Sequence, residues 1–386
     1  MNSSGRDADT PPLTLSTRVV AIAAGIVAVL VLNVMPALTG ILASRLGFTN
    51  ADIGAYVSAD VLGIAFGSAV SARLFNLASL RAVLGGGMAL LALANFCSAA
   101  GASVSALTAL RFGGGLGSGI ALGACFYLFA RGNRERDFAA YIVGQTVLAF
   151  LIILAIPAVE SHFGWAMVYV GFGMLALPVI ALMGRLPAVR HTVAGALNTG
   201  DRIRHPLHPS EWLALAGTAA FFLGQGALYT FIERVGATSG FDKEAIEHSL
   251  SVFALVGFLS SFAVLLLGPR VTSLLALTVG ALTNLAGTLA VMSADHRTYT
   301  VAICLFYVSL PIIATCQFGA IARADPTGRT AVYASTATFG GFAIGPYLGG
   351  ILVERFGFAA LQALDIGMVI FAAITLLPLL RNGRSQ

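Results

Sequence analysis

Charged side chains are scarce in this chain of 386 residues, because Asp, Glu, Lys and Arg together make up only 10% of it. Ordinary soluble domains contain about 25%. Lysine is almost absent, since Lys243 is the only lysine among 22 basic residues. With 58% hydrophobic residues and a mean hydropathy of +0.88, the chain carries more apolar surface than a soluble globule can bury. These features exclude a disordered chain and a soluble nucleic-acid-binding domain.

Clustered ligands and nucleophiles are also lacking. The four cysteines lie within apolar runs and have no metal-binding spacing, which excludes a secreted disulfide framework. The six histidines fall in predicted loops or at the ends of apolar runs, and no nucleotide-binding P-loop string occurs. A membrane-embedded enzyme would need a clustered nucleophile, base or metal set. The sequence therefore predicts no enzyme activity, no metal site and no cofactor.

Long apolar runs dominate what is present. A helix that crosses a bilayer needs about 20 apolar residues. Reading the runs between charged or Gly/Pro breaks predicts twelve such helices and an all-α membrane protein. The predicted spans are 19–44, 53–75, 80–100, 105–130, 138–159, 165–186, 211–234, 248–269, 271–293, 298–322, 330–353 and 358–380. They divide the chain into a tail (1–18), a six-helix bundle (19–186), a central loop (187–210), a second six-helix bundle (211–380) and a short tail (381–386).

The basic residues predict an orientation. If the N-terminus is cytoplasmic, the cytoplasmic segments hold 16 basic residues and the opposite side holds five. Basic residues concentrate on the cytoplasmic side of membrane proteins. We therefore expect a multi-pass protein of a bacterial cytoplasmic (inner) membrane, with both termini and the central loop in the cytoplasm.

The two halves of the chain repeat each other at an offset of 192 or 193 residues. Gly47-Phe48 corresponds to Gly240-Phe241, and Phe163-Gly164 corresponds to Phe356-Gly357. Each match is short, but the nearly constant offset of half the chain length indicates two pseudo-symmetric six-helix repeats. Transporters built from repeats bind their substrates near the bilayer midplane, between the halves.

The fourth span contains the string Arg-Phe-Gly-Gly-Gly-Leu-Gly-Ser-Gly from Arg111 to Gly119. With the six-plus-six layout, this string resembles the major facilitator superfamily over nearly the whole chain. Gly114 stands where the family motif has Gln, and Ser71 stands where the family loop after the second span has Asp. A string similar to the family's antiporter signature, Gly341 to Gly350, lies in the eleventh span rather than the fifth and is no evidence for export. The resemblance implies a secondary transporter of the major facilitator fold.

Four charges inside or at the ends of spans are candidates for ion coupling, because charge in a bilayer is costly. Asp60 and Arg111 lie about 10 Å and about 9 Å into their spans, at matching depth, so they form either a functional pair or a static structural one. Glu233 ends the seventh span and Asp365 lies in the twelfth. Arg111 is also a candidate for binding a substrate carboxylate.

Uncharged polar and aromatic residues near the midplane are candidates for a substrate cavity. They are Asn33, Tyr127, Gln145, Gln225, Tyr229, Tyr307 and Gln317. A second set is expected to allow close helix packing or bending. It comprises Gly115, Gly119, Gly341, Gly345, Pro346 and Gly349.

The sequence thus predicts secondary active transport of a small organic solute by alternating access. Protons are the expected coupling ion, because no motif for ATP use is present and an embedded carboxylate can exchange a proton. Uptake of an organic acid and efflux of a drug-like compound both remain open. A transport-inactive sensor or scaffold of the same fold is the alternative. The expected partners are the lipid bilayer and the solute, with no nucleic acid, and the expected state is a monomer.

Overall fold

The computed structural model describes residues 14–101, 103–131, 134–186, 208–267, 271–324 and 329–382. Most of the predicted tails and central loop, and the division between the eighth and ninth spans at 268–270, lie outside these residues. The described ranges contain fourteen α-helices and one 3-10 turn, Leu182–Arg185. The helices are α1 (Leu15–Ala28), α2 (Leu30–Asn33), α3 (Met35–Leu46), α4 (Asn50–Leu77), α5 (Leu80–Ala99), α6 (Val104–Arg131), α7 (Arg134–Phe163), α8 (Trp165–Ala181), α9 (Pro209–Thr238), α10 (Lys243–Leu267), α11 (Ser273–Ala290), α12 (His296–Ala324), α13 (Arg329–Phe356) and α14 (Phe358–Asn382).

Among the described residues, eleven segments formed by α4 to α14 are long and apolar enough to cross a membrane, with α8 extended by the 3-10 turn that follows it. The first predicted span is occupied by the shorter helices α1 to α3. The all-α membrane fold predicted from the apolar runs is confirmed. The predicted span 19–44 is wrong as a single helix, because it breaks on both sides of α2. Pro36 explains the second break, since it offers no N–H to the Leu32 carbonyl and its ring crowds that group.

The repeat seen in the sequence recurs in the backbone. Within the described residues, positive φ angles occur at Gly47 (66°), Gly164 (84°), Gly240 (87°) and Gly357 (75°). Gly47 and Gly240 occupy equivalent positions of the two repeats, and so do Gly164 and Gly357. Only glycine adopts this conformation without steric cost, and each of the four lies in a tight turn between two helices. The matching turns therefore position matching helices in the two halves.

Helix packing follows the same symmetry. In the first half α5 packs against α6 and α8, and in the second half α11 packs against α12 and α14. The contact of α4 with α6 likewise recurs as that of α10 with α12. Two six-helix bundles result, and they meet where α3 contacts α9, α4 contacts α13 and α7 contacts α10.

Close contacts between the halves occur at the end where α3 leads into α4, which we call the closed end. A methyl group at Gly54 would lie 2.3 Å from the carbonyl oxygen of Pro346, and one at Gly350 would lie 2.4 Å from that of Asn50. The backbones of α4 and α13 therefore touch. The amide of Tyr347, one residue after Pro346, donates to Oγ of Ser58 at 3.0 Å. The halves are held together here by backbone contact and hydrogen bonds.

Candidate functional site

A cavity of about 310 Å³ lies between the two halves. It is lined mainly by α7, α10 and α12, and we call it the central cavity. Asn33, the last residue of α2, projects a carboxamide whose Nδ2 donates to Oε1 of Gln145 on α7 at 3.2 Å. The break in the first span therefore places an amide pair on the cavity wall.

Aromatic rings form the facing wall. The ring of Tyr307 lies 4.4 Å from that of Phe253, and both residues line the central cavity. Tyr229 stacks on Tyr307 with ring centres 6.1 Å apart. The Tyr229 hydroxyl donates to the carbonyl of Asn33 at 2.8 Å. This bond joins α9 to the break in the first span, so the cavity wall connects the two halves.

A second cavity, of about 260 Å³, lies at the closed end between α3, α7, α9 and α10, and we call it the outer cavity. The buried carboxylate of Glu160 accepts from Nε of Arg45 and from Nζ of Lys243, each at 2.5 Å. Because Lys243 belongs to the second half, Glu160 is an ionic link across the boundary. Lys243 also lies 3.7 Å from Glu247.

Glu233 lines the same outer cavity in a different setting. Its carboxylate lies against α3, where a methyl group at Gly40 would come within 2.7 Å of Cδ. Oε2 is shielded from solvent and has no hydrogen-bond partner among the described residues. Glu233 is therefore a half-buried carboxylate at the boundary between the halves, with one oxygen unsatisfied.

The two cavities meet at one side chain. Ile153 of α7 lines both of them and is 4% exposed. Both cavities follow the boundary between the halves. The two cavities therefore follow each other along the boundary between the halves, with the apolar side chain of Ile153 between them.

Asp60 and Arg111, which the sequence places at equal depth, are brought together inside the first half. Nε of Arg111 donates to Oδ1 of Asp60 at 2.8 Å, and Nη1 donates to Oδ1 of Asn95 at 3.2 Å. The side chains of Arg111 and Asp60 are 1% and 2% exposed. Neither residue lines the central or the outer cavity. The hydroxyls of Tyr56 and Tyr169 pair at 2.9 Å, and both side chains are buried.

Glycines set the geometry of this ion pair. A methyl group at Gly115 would lie 2.2 Å from the carbonyl oxygen of Asp60, and one at Gly119 would lie 2.1 Å from that of Ile64. Helices α4 and α6 therefore pack backbone to backbone, as small residues allow in membranes. Gly114 lies beside the guanidinium, where a methyl group would come within 2.3 Å of Nη2. The guanidinium of Arg111 therefore occupies the space that any side chain at position 114 would need.

Asp365 is enclosed within the second half. Its side chain is buried, Oδ2 accepts from Thr288 at 2.6 Å, and Oδ1 lies close to Gly224 of α9. In the described part of the chain it has no ion pair. Like Asp60, it does not line either cavity between the halves.

The remaining candidates lie away from the central cavity. Gln225 is buried and donates to Ser309 at 3.2 Å, while both amide atoms of Gln317 are buried without partners among the described residues. Tyr127 packs against Phe75 in the core of the first half.

The candidate packing residues of the second half lie along one helix, α13. Gly341 and Gly345 face the carbonyl oxygens of Ala219 and Leu223 on α9, and Gly349 faces the side chain of Leu361 on α14. Pro346, by contrast, lies at the boundary between the halves, opposite Gly54.

The sequence did not identify several residues of the boundary as candidates, among them Glu160, Ile153 and Gly54. Glu160 had a usable signal, since it follows a predicted span on the side where only five basic residues occur, and two of those five contact it. Ile153 and Gly54 had none, because nothing in an apolar run shows which residues face the other half.

Two pseudo-symmetric six-helix bundles with cavities along their boundary define a membrane transporter rather than an enzyme. The chain belongs to the Major Facilitator Superfamily, whose family model matches residues 20–335.

Among curated proteins, the 4-hydroxybenzoate transporter PcaK of Pseudomonas aeruginosa is 28% identical over 172 residues. This match covers 42% of the chain and spans only 38% of that relative's length. Two solved structures share the fold at 12% identity. A mutant form of the nucleoside transporter NupG has a TM-score of 0.75, and the match covers 95% of this chain and 99% of that one. The xylose transporter XylE from E. coli, in an inward open conformation, has a TM-score of 0.72, with 94% and 95% covered.

Proposed function

We propose that this protein is a secondary active transporter that moves a small organic solute by alternating access, driven by protons. The observation that carries the proposal is the path between the halves, in which Ile153 separates a central cavity from an outer one. The two bundles, about 19–186 and 211–380, would rock against each other. The closed end would part while the opposite end closes.

The excess of basic residues in the predicted cytoplasmic segments supports placing the closed end on the periplasmic side. In this state the central cavity would communicate with the cytoplasm. Opening of the closed end requires the link from Glu160 to Lys243 and the contact of Gly54 with Pro346 to separate. Lys243 is largely exposed, and Arg45 of the first half stays bonded to the buried carboxylate of Glu160, so breaking the pair across the boundary costs little.

Glu233 is the carboxylate best placed to couple protons to this motion. The surroundings of a coupling acid must differ between the two states. Glu233 is pressed against α3 of the other half with the closed end shut, and parting of this end would release it. Ionised, it leaves an oxygen without a partner, which is costly in a buried setting. Protonation removes that cost and favours closure. Asp60 and Asp365 lie within single halves, so rocking alone changes their surroundings less.

A cysteine reporter tests this proposal without a known substrate. In a variant without the four native cysteines, Leu250→Cys would place a thiol in the outer cavity, where the native side chain is 3% exposed. Its alkylation by a membrane-impermeant maleimide should accelerate as pH rises, since ionised Glu233 disfavours closure. The measured rates are corrected for the intrinsic pH dependence of thiol alkylation with a small-molecule thiol. Labelling should come from the outside of intact cells.

The matched variants are Glu233→Gln and Glu247→Gln. Glu233→Gln should abolish the corrected pH dependence and hold the end closed, whereas Glu247→Gln, in the same cavity but beside Lys243, should retain it. Retention of the pH dependence in Glu233→Gln would assign the coupling to another acid. No labelling from outside under any condition would reject alternating access with this orientation.

A further inference from the structure

We propose that the central cavity selects an uncharged, planar solute with an amide-like edge, such as an aromatic amide or a nucleobase. This inference rests on the proposed transport function and specifies the chemistry of its substrate. Three properties of the cavity carry it: the absence of charge among the described residues of its walls, a free donor and acceptor at one place, and an aromatic surface contributed by the other half.

The first property is charge. None of the described residues that line the central cavity carries a formal charge. Arg111, the basic residue buried nearest the middle of the first half, is engaged by Asp60 and does not line the cavity. Glu233 and Lys243 line the outer cavity. A carboxylate solute in the central cavity would therefore lose water without gaining a cationic partner, which disfavours anions.

The second property is the amide pair. The Asn33 to Gln145 hydrogen bond uses one donor and one acceptor. An acceptor on Asn33 and a donor on Gln145 remain, because each carboxamide has both kinds of group. If both amides are flipped, the two residues exchange roles, and one donor and one acceptor still remain. A solute amide or lactam edge presents the complementary acceptor and donor side by side.

The third property is the facing wall. Tyr307 and Phe253 pack at 4.4 Å, and Phe222 and Pro311 extend the apolar lining. Aromatic rings pack well against other flat rings. The cavity volume of about 310 Å³ lies at the low end of the range for small-molecule sites. A cavity of this volume has room for a solute of one or two rings beside the amide pair and the aromatic residues.

The test compares matched pairs of solutes that differ in charge. The pairs are 4-hydroxybenzamide with 4-hydroxybenzoate, nicotinamide with nicotinate, and uracil with orotate. Each neutral member carries an amide-like edge, and each partner is an anion at pH 7.5. Binding to the full chain in lipid nanodiscs is measured by calorimetry, and exchange is measured in proteoliposomes. We expect at least one neutral member to bind about tenfold or more tightly than its anion, in line with the cost of unpaired buried polar groups.

Cavity variants locate the binding. Gln145→Leu should weaken binding of the neutral solute by about tenfold, because it removes the group that Gln145 offers the solute and leaves the Asn33 amide without its partner. Thr146→Val is the matched control, since Thr146 lines the same cavity but its hydroxyl already bonds the carbonyl of Ile142. It should bind like the wild type. Equal binding by Gln145→Leu would contradict the assigned site.

The outcomes separate this inference from the proposed function. Tighter binding or faster exchange of the anions would overturn the substrate class while leaving a working transporter. Failure of every neutral member to bind would also overturn it. The pH-dependent labelling of Leu250→Cys needs no solute, so it would still stand or fall on its own.

Discussion

Replacing Gly54 by alanine should loosen the closed end without harming either half. The new methyl group would lie 2.3 Å from the carbonyl oxygen of Pro346, whereas ordinary contacts lie at 3.4–4 Å. Helices α4 and α13 must therefore separate by roughly 1 Å, and overpacking of this kind typically costs about 1–3 kcal/mol. Because these helices belong to different halves, the strain falls on the closed state and is relieved when the end opens.

A strain of this size changes the ratio of open to closed molecules by about 5- to 150-fold. With Leu250→Cys as the reporter, alkylation by an impermeant maleimide should accelerate by a similar factor, provided that the open state is the minor one. The assay compares initial labelling rates at one pH in the same lipid. An unchanged or slower rate would refute the assignment of this contact to the closure.

Two other glycines serve as controls. Gly367→Ala introduces a methyl group where no other atom lies within 4 Å, so labelling should not change. Gly115→Ala introduces an equally severe contact, 2.2 Å from the carbonyl oxygen of Asp60, but within the first half. It should lower the thermal stability in detergent and leave the labelling rate of the folded fraction close to that of the parent. Faster labelling in Gly115→Ala would show that packing strain anywhere opens the closed end.

Three further predictions concern the buried charges and the barrier. Arg111→Ala should lower the free energy of unfolding by about 3–5 kcal/mol because it leaves Asp60 unpaired. Addition of Asp60→Asn should restore part of this free energy. Denaturation curves in detergent measure both effects, and no recovery in the double variant would argue against a structural pair. Gly114→Ala should displace the guanidinium and lower the melting temperature; a stable variant would contradict the packing at Nη2. Ile153→Ala should join the two cavities, so that Ser261→Cys in the central cavity is labelled from outside faster than in the parent that keeps Ile153. Equal rates would place the barrier elsewhere.

Much of the architecture could be predicted from composition and repetition. Apolar runs and glycine turns are local signals, so the helices could be predicted from the sequence. The recurrence of Gly47 at Gly240 and of Gly164 at Gly357 could be predicted for the same reason. The pairing of Asp60 with Arg111 could be anticipated because two charges at the same depth rarely remain apart in a bilayer. The breaks in the first span were harder to predict, since Pro36 marks only one of the two.

The cavity walls were harder to predict than the helices. Asn33, Gln145, Tyr229 and Tyr307 gather at or beside the central cavity, while Tyr127 packs in a core. All five are polar or aromatic residues near the middle of apolar spans, so neither residue type nor depth in the membrane distinguishes the cavity residues from the core residue. What differs is the direction in which the side chain points, and this depends on helix rotation and on neighbours from the other half. A sequence without aligned relatives carries little information on either.

The distribution of charge suggests how one chain combines stable bundles with a movable boundary. Inside the first half, the ion pair of Asp60 and Arg111 is buried and packed by glycines, so separating it would be expensive. At the boundary, Lys243 meets Glu160 from an exposed position, the amide of Ala51 donates to the exposed carboxylate of Glu354, and backbone contact between the helices does the rest. A strong electrostatic bond therefore holds the first bundle, and weaker ones hold the two bundles to each other. A path that opens and closes needs this difference, because a buried ion pair across the boundary would lock one state. The uncharged walls of the central cavity follow the same logic, since a fixed charge there would have to be solvated again at every opening.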